Sequence, residues 1–409
     1  MCLEKKPEVF LAQKFIRTPF TWLAYLLLAF YGYYLNIYGP ITPYLKDELG
    51  LTYTVSSLHF TAFAAGILIV GFFGHILIEK IGRRRSLWIG AFGISLSTFL
   101  LLAGTTPVVT IGASLLMGTV GSLILAVVPS ALSDQYGEQR AVALSEANVV
   151  SSFFSTIAPL LVGWFVVVAG SWRWALATVA LAPILMLLVF RKTKPAPARL
   201  VKDDSPIARN KSLPGLYWVL WMAIVLAVSV EFCMIYWSAD YFVVGLGMQK
   251  VDAAQAVSLF LAAMIVGRLG GSLLVQRFAV QKLVLAATLA AGVGFIVFWK
   301  AETILAGLTG LFITGLGVAS MYPLILSMAM GASNGNSVQA SARATLASGT
   351  AILLLPLILG RLADSFGIHN AYAIVAFLLL GVFLIVLFAG RHSTTRNLST
   401  VKSIVQGGD

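Results

Sequence analysis

The chain reads as apolar runs of about twenty residues separated mostly by short polar turns, and about twelve such runs can be counted between residues 20 and 390. Crossing roughly 30 Å of hydrocarbon takes a helix of about that length with almost no charge in it. The first run, 20–45, carries a polar aromatic face of Tyr31, Tyr33, Tyr34, Asn36 and Tyr38, then Gly39-Pro40-Ile41-Thr42-Pro43. Such a face is unsuited to lipid all round. Runs at 53–79, 87–102, 108–132 and 142–169 follow, and a sixth ends near 190. Gly66, Gly71 and Gly74 in the second and Gly118 and Gly121 in the fourth permit close helix approach. Ser171-Trp172-Arg173-Trp174 after the fifth reads as an interfacial anchor. The longest polar segment, 191–214, holds Pro195, Pro197, Pro206 and seven basic residues, and reads as a linker.

A repeat at an offset of 197 residues ties the two sides of that linker together. Gly118 maps onto Gly315, Pro159 onto Pro356, Gly163 onto Gly360 and Gly170 onto Gly367, all without a gap. Several matches at one offset argue for duplication. The expected architecture is an all-α membrane protein whose twelve transmembrane helices form two six-helix halves related by a pseudo-twofold axis, with a solute site between them near the bilayer midplane. Residues 1–190 would form the first half, 191–215 a cytoplasmic linker, and 216–409 the second half with a short cytoplasmic tail.

Composition agrees: 59% of residues are hydrophobic and 11% charged, against roughly 25% charged in soluble domains. A net charge of +12 would suggest nucleic acid in a soluble protein, but here the basic residues sit between spans, so their sidedness matters more than their total. With the N-terminus placed in the cytoplasm, 21 Lys and Arg residues fall in cytoplasmic segments and 5 in external turns, while Arg268 and Arg343 lie inside apolar runs. The positive-inside rule then puts both termini in the cytoplasm of a cell-membrane protein. Cys2 and Cys233 suggest neither a disulfide nor a metal framework. The first apolar run is too long for a signal peptide and lacks a small-residue cleavage site, so it is read as a permanent span.

The hairpin 71–86, GFFGHILIEKIGRRRS, joins the second and third runs through a Gly82 stop and three arginines. Adding 197 to Glu79, Lys80 and Ile81 gives Gln276, Arg277 and Phe278 at the end of another apolar run. With twelve spans and a central basic loop, this hairpin makes nearly the whole chain resemble the major facilitator superfamily, whose signature here is Gly74, Glu79, Lys80, Gly82, Arg83 and Arg84. Glutamate replaces the usual aspartate, and the leading glycine lies one residue early, with His75 in its place. The second copy keeps Arg277 but has Gln276 and Ala279, and the fourth-run arginine of many drug and sugar antiporters is absent from 112–118. The resemblance implies that Glu79 closes a cytoplasmic gate against the N-terminus of the eleventh helix, where exposed N–H groups favour an acid. Arg83 and Arg84 need anionic partners, for which Asp134 and Glu138 are nearest in sequence.

Among single residues Glu231 is the sharpest. It falls about fifteen residues into the seventh run, near the bilayer centre, where an ionisable side chain costs roughly 2.5–3.5 kcal/mol or more. The expected proton-coupling residues are Glu231, Asp240 and Glu146, with Asp240 nearer the outer rim. By the repeat Glu231 corresponds to Tyr34, and Glu146 to Arg343. The superfamily plan sets the fifth helix beside the eighth, which implies a pair between Glu146 and Arg268, with Arg268 and Arg343 also counted among gating residues. Tyr33, Tyr34, Asn36, Tyr38 and Trp237 could line a cavity suited to sugar rings. Tyr322, in Met321-Tyr322-Pro323, together with Glu231 resembles the fucose and hexose proton symporter branch. Packing is the ordinary role of such aromatics, and His59 and His369 are as readily structural as relay groups.

No Walker sequence, metal cluster or Ser/His/Asp arrangement appears, so neither an enzyme nor a cofactor is expected. The expected function is alternating-access transport, as proton-coupled symport of a small polar solute such as a sugar by a monomer in the lipid bilayer, without nucleic acid. Proton-coupled efflux of amphipathic compounds, or organic anion transport, is the alternative. A non-transporting membrane sensor on the same fold would tolerate neutralising every intramembrane charge.

Overall fold

The structure, a computed structural model, describes residues 15–193, 213–275, 277–333 and 337–406. The expected linker and Gln276 lie largely or wholly outside the described residues. Among those described, every regular element is a helix. Eleven helices are long and apolar enough to cross a membrane, and a bent pair makes a twelfth span.

That pair is α1 (Pro19–Asn36) and α2 (Tyr38–Leu49), which meet at 42°. The sequence pattern predicts one helix there. Pro40 explains the break, since it offers no N–H to the Asn36 carbonyl and its ring crowds that carbonyl. The next spans are α3 (Tyr53–Ile81), α4 (Arg83–Ala103), α5 (Pro107–Tyr136) and α6 (Arg140–Ala169). The sixth span is divided into α7 (Arg173–Ala180) and α8 (Ala182–Phe190), with Pro183 beside the division. Helix α4 begins four residues before the predicted run because Gly82, at φ +86°, turns the chain where an L side chain would be strained.

The second half contains α9 (Gly215–Leu246), α10 (Lys250–Leu274), α11 (Val280–Trp299), α12 (Ile304–Gly331) and α13 (Ser337–Phe366). Its last span comprises α14 (Ile368–Ala371) and the apolar part of α15 (Ala373–Gln406).

The offset of 197 survives as geometry. α1 packs on α6 as α9 packs on α13, and α3 and α4 pack on α5 as α10 and α11 pack on α12. Gly118 leaves no room for a Cβ against the Phe63 backbone carbonyl, and Gly315 stands in the same relation to Phe260. Each pair differs by the repeat length, so one close crossing has been built twice. The two halves meet along α3 and α13, α6 and α10, and α2 and α9. The end of the molecule carrying Arg83, Arg84 and Arg85 is called the basic end below.

Candidate functional site

Where α1, α6, α9 and α10 converge, a cavity of about 210 Å³ lies between the halves. Among the described residues, Glu231 and Arg268 are the only charged side chains in its wall. Arg268 Nη2 lies 3.6 Å from Glu231 Oε1, and Nη1 donates to Ser152 Oγ at 3.5 Å. The ion pair is thus looser than the 2.7–2.9 Å of a well-formed charge-assisted hydrogen bond. Glu231 is 17% exposed and Arg268 46%, so protein covers neither side chain completely, although both lie within apolar helices.

Opposite this pair, α6 presents Asn148, Ser151, Ser152, Ser155 and Thr156, spaced by three and four residues and therefore on one helix face. Asn36 of α1 donates to Ser155 Oγ at 3.1 Å and to the Gly32 carbonyl at 2.9 Å. Ser151 donates to the Leu28 carbonyl at 3.1 Å. Tyr31 borders the same space with its hydroxyl buried. The remaining wall is aliphatic apart from Phe232.

Away from the basic end a packed layer closes the cavity. Phe60 of α3 lies 5.6 Å from Phe232 and 5.1 Å from Tyr236, ring centre to ring centre. Tyr236 donates to the Ser56 carbonyl at 2.6 Å, Thr61 to the Leu353 carbonyl at 3.1 Å, and Ser258 to the Thr156 carbonyl at 2.7 Å. Farther out, Lys46 Nζ holds both carboxylate oxygens of Asp240, at 2.7 and 2.8 Å, and lies 4.0 Å from the centre of the Tyr53 ring. Asp240 is 1% exposed. Lys250 pairs with Asp47 nearby. Asp364, at the end of α13, accepts from the Tyr53 and Thr54 backbone N–H groups at 2.7 and 2.8 Å, capping α3 from the other half.

At the basic end Arg83 reaches Asp134 at 2.6 Å and Arg84 donates to the Arg191 carbonyl. Asp134 is one of the two acids nearest these arginines in sequence; the side chain of the other, Glu138, lies outside the described residues. Glu79 is exposed. Arg343 is exposed too, and its carbonyl accepts from Trp221 at 2.7 Å.

The expected pair of Glu146 with Arg268 does not form. Glu146 is taken by Arg17, whose Nε donates at 2.8 Å, and by the Tyr25 hydroxyl at 3.1 Å, which fastens the start of α1 to α6 within one half. Of the residues expected to bind solute, only Asn36 lines the cavity. Tyr33 and Tyr34 turn away to donate to the Ala175 and Leu176 carbonyls at 2.8 and 2.7 Å. Tyr38 packs against Phe60 and Phe63, and Trp237 donates to the Pro356 carbonyl at 2.9 Å. Tyr322 is half-buried in α12, outside the cavity wall. His59 sits between the Ser56 carbonyl and Thr110, and His369 against Tyr241.

Sequence reasoning missed the α6 polar stripe, although its spacing within an apolar helix was a usable signal. It also missed Lys46 as the partner of Asp240 and Asp364 as a cap, pairings between distant segments that no local pattern marks.

Comparisons with known proteins bear on this arrangement. A family model described as Major Facilitator Superfamily matches residues 22–338. Proteins named TsgA from Shigella dysenteriae serotype 1 (strain Sd197) and Escherichia coli O157:H7 are each 25% identical over 290 residues, covering 70% of this chain and 72% of theirs. A bacterial homologue of the human lysosomal transporter Spinster, solved in an inward-facing and occupied conformation, superposes with a TM-score of 0.74 at 14% identity over 92% of this chain and 98% of that one. A D-xylose-proton symporter gives 0.70 at 17% identity, covering 91% and 96%, and the nucleoside transporter NupG gives 0.75 at 10%, covering 91% and 98%. At these identities the structural likeness speaks to the fold.

Proposed function

As the chain belongs to the Major Facilitator Superfamily, we propose that it is a secondary active transporter in which a small polar solute and a proton cross together by alternating access through the cavity at Glu231 and Arg268. It works as a monomer in the cell membrane with both termini in the cytoplasm, which accords with 21 basic residues on that side against 5 on the other. On that orientation the cavity faces the cytoplasm, and the layer from Phe60 out to Lys46 and Asp240 is the closed external gate.

The observation that carries this reading is the ion pair of Glu231 with Arg268, 3.6 Å apart in the cavity between the halves. Carboxylates deep in a membrane protein are expensive and mark ion or proton pathways. Glu231 can take a proton when water reaches it from one side and release it when water reaches it from the other, with Arg268 stabilising the ionised form in between. A proton gradient then biases the rocking of the halves because the two orientations bind proton and solute differently. Solute hydroxyl or amide groups would meet Asn36, Asn148 and the α6 hydroxyls.

The wall offers little aromatic surface, which weakens the case for stacking sugar rings. Its volume, below the roughly 300–1,000 Å³ of pockets for drug-sized ligands, also counts against large amphipathic cargo. Glu79 acts in the alternate orientation: when the cytoplasmic ends approach, it meets the N-terminus of α13.

The test is uptake into proteoliposomes of a panel of sugars, polyols, carboxylates and amphipathic cations, with and without an imposed pH gradient. Accumulation of a small polar solute that collapses without the gradient is the expected result. Accumulation of amphipathic cations alone, or of nothing while every intramembrane charge can be neutralised without phenotype, would overturn the reading.

A further inference from the structure

We infer that the solute is a small monovalent anion, a carboxylate on a polar skeleton, and that it moves with one proton per cycle and no net transfer of charge. The inference rests on the transport reading above and deepens it, and it follows from the charges in the cavity.

Among the described residues, Glu231 and Arg268 are the only charged groups in the wall; α1 adds the Tyr31 phenol and the Asn36 amide, and α6 contributes only neutral amide and hydroxyl groups. Arg268 is also the charged neighbour that acts electrostatically on Glu231. A guanidinium stays protonated under all relevant conditions, so the charge of the occluded cavity depends on Glu231 and on the cargo. When empty, the carboxylate and guanidinium pair and the cavity is neutral. A proton alone leaves a bare guanidinium, and an anion alone leaves a net negative charge. With both, the proton sits on Glu231, the cargo carboxylate faces Arg268, and neutrality returns. Occluding an uncompensated charge is costly, so the empty and doubly loaded forms are the ones able to reorient. That is obligatory one-to-one symport. A neutral sugar carried with a proton would instead strand Arg268.

The geometry suits such an exchange of partners. The separation of 3.6 Å contrasts with 2.7 Å for Lys46 and Asp240 in the closed layer. One pair is held shut, and the other is open to competition. Arg268 is 46% exposed and its contact with Ser152 is long, so most of its five N–H donors have no partner among the described residues. That planar fork matches a carboxylate bidentately. Asn148, exposed in the same wall, is placed to take the polar remainder of the cargo.

The experiment compares D-gluconate with D-glucose, and L-lactate with glycerol, in proteoliposomes containing a trapped pH-sensitive dye. Proton binding on addition of each compound to the purified protein is read in parallel from the buffer dependence of the binding heat. The expected result is internal acidification and uptake of one proton per ligand bound for gluconate or lactate, at least about tenfold above the neutral compounds. The rate should not change when potassium and valinomycin impose an inside-negative potential. Arg268→Gln should remove carboxylate binding, while Glu231→Gln should bind carboxylate without taking up a proton. Proton uptake with glucose or glycerol but neither carboxylate would overturn the inference and leave the transport reading standing. Absence of any carboxylate response in both assays, or potential-dependent gluconate uptake, would also overturn it. Full proton uptake by Glu231→Gln would instead show that the coupling group lies elsewhere.

Discussion

Glu231 and Tyr34 occupy equivalent repeat positions, yet one faces the cavity and the other is buried against the Leu176 carbonyl. Duplication preserved the helix crossings but not the orientation of each side chain. Apolar periodicity could find Glu231, because a charge in an apolar run stands out, but it could not tell a cavity aromatic from a packing aromatic: Tyr33, Tyr34, Tyr38 and Trp237 lie in equally apolar surroundings. The α6 stripe from Asn148 to Thr156 went unread, although its spacing of three and four residues within an apolar run was a usable signal. The partner of Asp240 was not legible, because Lys46 lies 194 residues away. That pair gives a prediction. Removing one partner of a buried ion pair strands the other, which typically costs roughly 3–5 kcal/mol. Lys46→Met or Asp240→Asn should therefore lower thermal stability in detergent, and the double variant should recover part of the loss. Equal and additive losses would mean that the two charges act independently.

At the scale of elements, α3 and α13 run antiparallel along the interface, with a carboxylate at the C-terminal end of each. Asp364 of α13 caps the N-terminus of α3, while Glu79 near the end of α3 is exposed. A cap of this kind is worth about 0.5–2 kcal/mol, enough to tilt a two-state equilibrium severalfold. Asp364→Ala should release the closed layer and raise labelling of a cysteine placed at Ser56, now buried there. Glu79→Ala should leave that site protected and hold the cavity accessible from the basic end, read with a cysteine at Asn148. If both variants change labelling in the same direction, the ends are not opposed latches. The Gly82 turn was legible because glycine punctuates locally. The bend between α1 and α2 was written in Gly39-Pro40, but an apolar run of sufficient length concealed it as a single span.

For the whole molecule, the offset of 197 residues was enough to anticipate two six-helix halves, because small residues at close crossings cannot drift without separating the helices. It could not anticipate which end would be closed, since the two orientations of the proposed cycle would share one sequence and differ only in which contacts between the halves are made. The central claim is that Glu231 converts a proton gradient into solute accumulation through the cavity at the interface. The most direct measurement compares wild type with Glu231→Gln, a mimic of the protonated form, using a transported solute from the uptake panel in proteoliposomes. Gradient-driven accumulation should fall at least about tenfold, while exchange of labelled for unlabelled solute at equal pH should persist near the wild-type rate. Accumulation by the glutamine variant at the wild-type rate would contradict the account and make Glu231 a structural residue.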